Sequence, residues 1–112
     1  MLLALTATGC VATGTVTHYG VGYQGQQMGC PGSGVYDSNN PTIAAVGYDS
    51  PYSCGDVVGI KGEMGIQVVI VQDTCPGCGP NHLDLSEAGI ANVCGAGADI
   101  CEVQHLLIRR AP

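Results

Sequence analysis

Apolar and polar positions alternate over short stretches of this chain, and clusters of turn residues separate the stretches. In TGTVTHYG (13–20), Thr13, Thr15, Thr17 and Tyr19 share one face of an extended segment, and Val16 and His18 share the other. TIAAVGY (42–48) and DVVGIKG (56–62) read as two more strands, and EVQHLLIRR (102–110) as the last. GIQVVIVQD (65–73) holds a continuous apolar run, the pattern of a strand buried on both sides. About six short strands are predicted in all. A Gly-, Gln- and Pro-rich loop runs from Tyr19 to about Asn40. One short helix is predicted near LSEAGIANVC (85–94), capped either by Ser86 or by Asp84, which has Glu87 three residues on. No linker divides the chain, and strands and turns with one small helix predict a small all-β barrel.

Composition adds two constraints. The 112 residues include no Phe and no Trp, so the core lacks its usual bulk, while seven Cys imply covalent bracing and an oxidising compartment. The formal net charge is -6, with Lys61, Arg109 and Arg110 the only Lys and Arg, which excludes nucleic acid and anionic membranes as partners and leaves neutral polysaccharide or small polar ligands. The opening MLLALTATGC reads as the remnant of a secretion signal or a disordered N-terminus over residues 1–12, too short to span a membrane, with residues 13–112 as the domain. Cys10 after TATG weakly resembles a lipoprotein processing site; a stray or paired cysteine is the alternative.

Cys30, Cys54, Cys75, Cys78, Cys94 and Cys101 form an even set that fits three disulfides, each contributing roughly 2–4 kcal/mol. The expected pattern joins Cys30 to Cys54 and the two CPGC cysteines to Cys94 and Cys101. A zinc site and a redox pair are the competing readings of CPGC. Zinc would need His82, Cys94 or Cys101 at a non-standard spacing, and a redox pair would need a helix start where Pro76 and Gly77 make a turn.

Two carboxylates stand beside this turn. Asp73 ends the most apolar strand and Asp84 follows Asn81-His82-Leu83. A carboxyl at the rim of an apolar barrel can hold its proton and donate it; equally, Asp84 can cap the helix and Asp73 can accept N–H groups of the turn. His18 and His82 are open between a polar surface role and a functional one, and His105, in an apolar strand, reads as structural. All five tyrosines lie in the first half, where loop positions suit stacking on sugar rings; filling the core is the alternative, above all for Tyr19 and Tyr48.

The motifs TGTVTHYGVGY, SCGDVVGI, VVIVQDTCPGC and HLDLSEAGI resemble, in order and spacing, the double-psi β-barrel of expansin-like proteins, a set that includes barwin-like domains, fungal loosenin-type proteins and rare lipoprotein A. The resemblance covers about residues 13 to 110 and implies a six-stranded double-psi β-barrel with one short helix. It implies that Asp84 is the acidic group on which wall loosening depends, with Asp73 and Thr17 lining the same groove. A groove tyrosine of bacterial expansins falls at Cys75. Family 45 endoglucanases share the barrel and invert through an acid and a base roughly 6.5–9.5 Å apart, but their first-strand base falls in VTHYG, which holds no acid. The D-R-G-P acid turn of rare lipoprotein A matches Asp73 but continues as T-C-P, and that family's T-A-A-H histidine is absent from TIAAV. The expectation is therefore a secreted, monomeric, single-domain protein without cofactor or metal that loosens cell-wall polysaccharide (neutral glucan, chitin or peptidoglycan) without hydrolysis. Asp84 and Asp73 would act on the glycan, and Thr17, Tyr19, Tyr23, Tyr52 and His82 would bind it. A lytic transglycosylase or weak glycosidase, and a protease inhibitor or other protein-binding module, are the alternatives.

Overall fold

The computed structural model describes residues 10–112; the secretion-signal reading of the N-terminus falls largely outside them. Six strands, β1 (Ala12–His18), β2 (Ile43–Val46), β3 (Val57–Lys61), β4 (Ile66–Thr74), β5 (His82–Leu85) and β6 (Ile100–Arg109), close into a barrel in the order β1-β5-β2-β4-β3-β6. The pairs β1–β5 and β2–β4 are parallel and the rest antiparallel. The helix α1 (Glu87–Cys94) lies where the pattern puts it. Ser86 is its cap, accepting from the Gly89 N–H at 3.1 Å and donating to the Asn40 carbonyl at 2.6 Å. Asp84 is not the cap but sits within β5, a strand the pattern does not mark.

Alternation sorts the side chains. Val16, Ala44, Val46, Val58, Ile60, Val69, Val71, Leu83, Leu85, Val103 and Leu107 fill the interior, and α1 adds Ile90 and Val93. The apolar run of β4 is buried on one side only: Val69 and Val71 are enclosed, whereas Val68 and Ile70 remain 39% exposed. Tyr52 and His105 supply bulk that Phe or Trp would otherwise provide; both are buried, and the Tyr52 hydroxyl meets His105 Nδ1. Burial lowers the His105 pKa, so the ring is held neutral. Gly14 makes room for this pair, since a Cβ there would lie 2.0 Å from the Asn81 carbonyl and 2.7 Å from His105 Nε2.

A second, smaller apolar cluster forms outside the barrel, where the 19–40 loop lays Tyr19, Met28 and Tyr36 over Ile43 and Ala45. Tyr19 is thus a core residue and Tyr48, at 77% exposure, is not. The Cys30–Cys54 bridge ties this loop down as expected. The other expected pairing does not occur: Cys75 joins Cys78, and Cys94 joins Cys101. Local geometry explains it. The CPGC turn closes through Cys78 N–H to the Cys75 carbonyl and brings its Cα atoms to 5.3 Å, while the link from α1 to β6 brings Cys94 and Cys101 to 6.0 Å. These pairings also replace the zinc reading of CPGC. Cys10 is exposed and unbridged.

Candidate functional site

Strand register builds the site. Thr17 pairs with Asp84 across β1 and β5, Asp84 with Ala45 across β5 and β2, and Ala45 with Asp73 across β2 and β4. The four residues make a transverse row on the outer face, with the two aspartates flanking an alanine. At about 4.8 Å per strand, their Cα atoms stand about 10 Å apart. Simple alternation after Val71 would turn Gln72 outward and Asp73 into the barrel. The register shift between Ala44 and Ala45 instead sets Asp73 opposite Ala45, which re-aims its carboxylate.

Above the row lies an open groove of about 320 Å³, lined by Tyr19, Tyr23, Asp73, Thr74, Pro76 and Asp84 among others. Gln26, Gln27 and Cys75 also line it. Nothing in the local pattern around the two glutamines marks them in advance; only the fold of the 19–40 loop brings them here. One wall is the CPGC turn, which docks on the end of β2 through Cys75 N–H to the Val46 carbonyl, 2.8 Å. That docking requires Gly47, where a Cβ would sit 2.0 Å from the Cys78 carbonyl oxygen.

The carboxylates differ in environment. Asp84 is half-buried, and its one hydrogen-bond donor among the described residues is the Thr17 hydroxyl, at 2.9 Å. Burial raises its pKa; Thr17, His82 and His18 offset part of that, and the charge of Asp73 adds a smaller upward push. Asp73 is instead well supplied: its Oδ1 accepts from Gly29 N–H (2.7 Å) and Thr74 N–H (2.9 Å), and its Oδ2 from the Tyr19 hydroxyl (3.3 Å). It therefore clamps the 19–40 loop to the barrel.

The remaining candidates divide. Tyr19 faces the groove with its hydroxyl committed to Asp73, and burial raises its pKa, so it stays neutral. Tyr23 is 51% exposed at the rim, its ring edge-on to Tyr19 at 5.7 Å. Thr17 places its hydroxyl 2.7 Å from His82 Nε2 as well as on Asp84, and His82 opens onto a neighbouring cavity of about 370 Å³ with Thr15, Asn81 and Glu102. Tyr52 does not reach the groove: the interior claims its ring, because His105 offers its hydroxyl a partner there.

No protein-family model matches the sequence, and no curated protein does. Solved structures do. An expansin from Clavibacter michiganensis superposes with a TM-score of 0.71 at 29% identity over 92% of this chain and 52% of that one. An aspartate-to-asparagine mutant of the same expansin, in complex with cellohexaose, gives 0.70 at 25% identity over 89% and 51%. The fold is an expansin-like double-psi β-barrel. The chain spans about half the length of the expansin it matches. A Streptomyces papain inhibitor shares the fold over nearly its whole length, with a TM-score of 0.69 at 20% identity over 94% of this chain and 99% of that one. The expansin-like barrel thus carries the predicted Thr17, Asp73 and Asp84 on one face and adds a tyrosine rim above them.

Proposed function

We propose that this expansin-like barrel is a secreted protein that binds a cell-wall polysaccharide in its outer groove and loosens polymer contacts without cleaving them. The observation that carries the reading is the contrast across Ala45. Asp84 is a half-buried carboxyl with its pKa raised, suited to exchange a proton or a hydrogen bond with a sugar hydroxyl. Asp73, the other carboxylate of the groove and the one that would have to activate water for an inverting cleavage, already accepts three hydrogen bonds. Tyr23 offers an exposed ring for stacking on a pyranose face. The net charge of -6 favours a neutral glucan or chitin over an anionic polymer, and the cellohexaose complex of the similar expansin supports the same ligand class.

The test is Asp84→Asn, assayed for wall weakening and examined for folding by circular dichroism. Activity lost with the fold intact supports the reading; full activity in the variant removes it. Products analysed by mass spectrometry after incubation with β-glucan and peptidoglycan separate loosening from cutting, since new reducing ends or anhydro-sugars would establish cleavage. The likeness to the papain inhibitor favours a second reading, a protein-binding module that uses the 20–40 and 48–55 loops. A pull-down against cellulose, chitin and peptidoglycan that recovers no protein on any of them would shift the balance to it.

A further inference from the structure

The Thr17 hydroxyl stands between two titratable groups, 2.9 Å from Asp84 Oδ1 and 2.7 Å from His82 Nε2. A hydroxyl has one proton to donate. While that proton points to an ionised Asp84, the Thr17 oxygen must accept from His82, so Nε2 carries hydrogen. If Asp84 is the acid and donates to the Thr17 oxygen, the hydroxyl turns to His82, and Nε2 must be bare. The two bonds therefore reverse together.

The geometry points to Asp84, Thr17 and His82 acting as one proton-sharing unit. His82 is the positioning residue that decides whether Asp84 presents a carboxylate or a carboxylic acid to the groove. The transfer balances simply. From an imidazolium, the Nε2 proton moves to the Thr17 oxygen as the Thr17 proton moves to Asp84, leaving a neutral ring protonated at Nδ1 and a neutral acid. His82 faces a separate open cavity, so it can recover its proton from water while a ligand covers Asp84. Asp73 and His18 also act on Asp84 electrostatically, the charge of Asp84 in turn raises the pKa of Tyr19 and Tyr36, and Glu102 shares the cavity with His82. None of them is joined to Asp84 through the Thr17 hydroxyl.

The assignment of Asp84 as the working group rests on the proposed function, but the proton-sharing does not, and it is tested without an activity assay. The carboxyl carbon of Asp84 is followed by NMR from acid to neutral pH in the wild type and in Thr17→Val, Thr17→Ser and His82→Gln. Thr17→Val removes the donor and is expected to raise the Asp84 midpoint by about one pH unit, whereas Thr17→Ser keeps the hydroxyl and the wild-type curve. His82→Gln retains an N–H donor that cannot titrate, so the Asp84 curve should lose the inflection contributed by the imidazole. Curves that superimpose for the wild type, Thr17→Val and His82→Gln overturn the unit. Coupled titrations in a protein whose His82→Gln variant weakens walls with an unchanged pH profile leave the unit standing and remove its place in the function.

Discussion

Asp56 and Asp84 are both withdrawn from water, yet their carboxyl groups are pushed in opposite directions. Asp56 is only 2% exposed. Burial alone would raise its pKa, but Ser53 and Ala111 N–H groups and the Arg110 guanidinium, at 2.8–2.9 Å, outweigh that and lower it. Asp84 is half-buried with one hydroxyl donor among the described residues, and burial raises its pKa. The two sites differ in donor supply. A carboxylate surrounded by N–H groups is a structural tie, and one left short of them is a group that can still take a proton. Asp73, with three donors, resembles Asp56 in donor supply although it lines the groove.

Removing the carboxylate of Asp56 is expected to give the largest effect. Asp56→Ala takes the shared acceptor from the part-buried Ser53 and Ala111 N–H groups, leaves Arg110 only the Pro51 carbonyl, and should destabilise by about 2 kcal/mol in chemical denaturation; a loss no larger than that of a surface substitution would break the comparison. Arg110→Gln comes next. Arg110 is 60% exposed on its side chain, so the pair is screened, and the expected cost is about 1 kcal/mol because both backbone donors remain. Asp84→Asn should cost nothing at neutral pH and can stabilise. An acid whose pKa is raised on folding makes the folded state lose stability as pH rises through the window above the ordinary carboxylate value, and the amide removes that loss. The opposite sign holds at Asp56, whose stabilisation is complete above the ordinary carboxylate range and is lost as pH falls toward its lowered pKa. Stability curves of the two variants against pH, measured by thermal melts, should therefore deviate from the wild type with opposite slopes.

Much of this barrel could be read in advance because period-two alternation marks β1, and short apolar stretches bounded by turn residues mark β2, β3 and β6. β5 escaped because HLDL is only four residues long and runs straight into a capped helix, so Asp84 read as one of two candidate caps beside Ser86 although His82 and Asp84 alternate with Leu83 and Leu85. The apolar run of β4 cannot report that its outer face stays uncovered; that depends on where the 19–40 loop settles. The groove aspartates were legible as residue types, but the bulge that turns Asp73 outward depends on pairing between strands far apart in sequence. Of the three bridges, only Cys30–Cys54 was legible. Nothing in the spacing distinguishes a bridge within CPGC from one leaving it until the turn is seen to close on itself. Tyr52 and Tyr23 look alike in sequence, and only the buried His105 explains why one ring goes inside.

Thr17, Ala45, Asp73 and Asp84 come from four different strands, and none is sequence neighbour to another. No excised peptide can carry this row, since each member is held in line only by the ring of pairings that closes the wall behind it. If the row holds the glycan proposed for it, capture should vanish in step with global unfolding, which makes binding a gauge of whether the ring has closed.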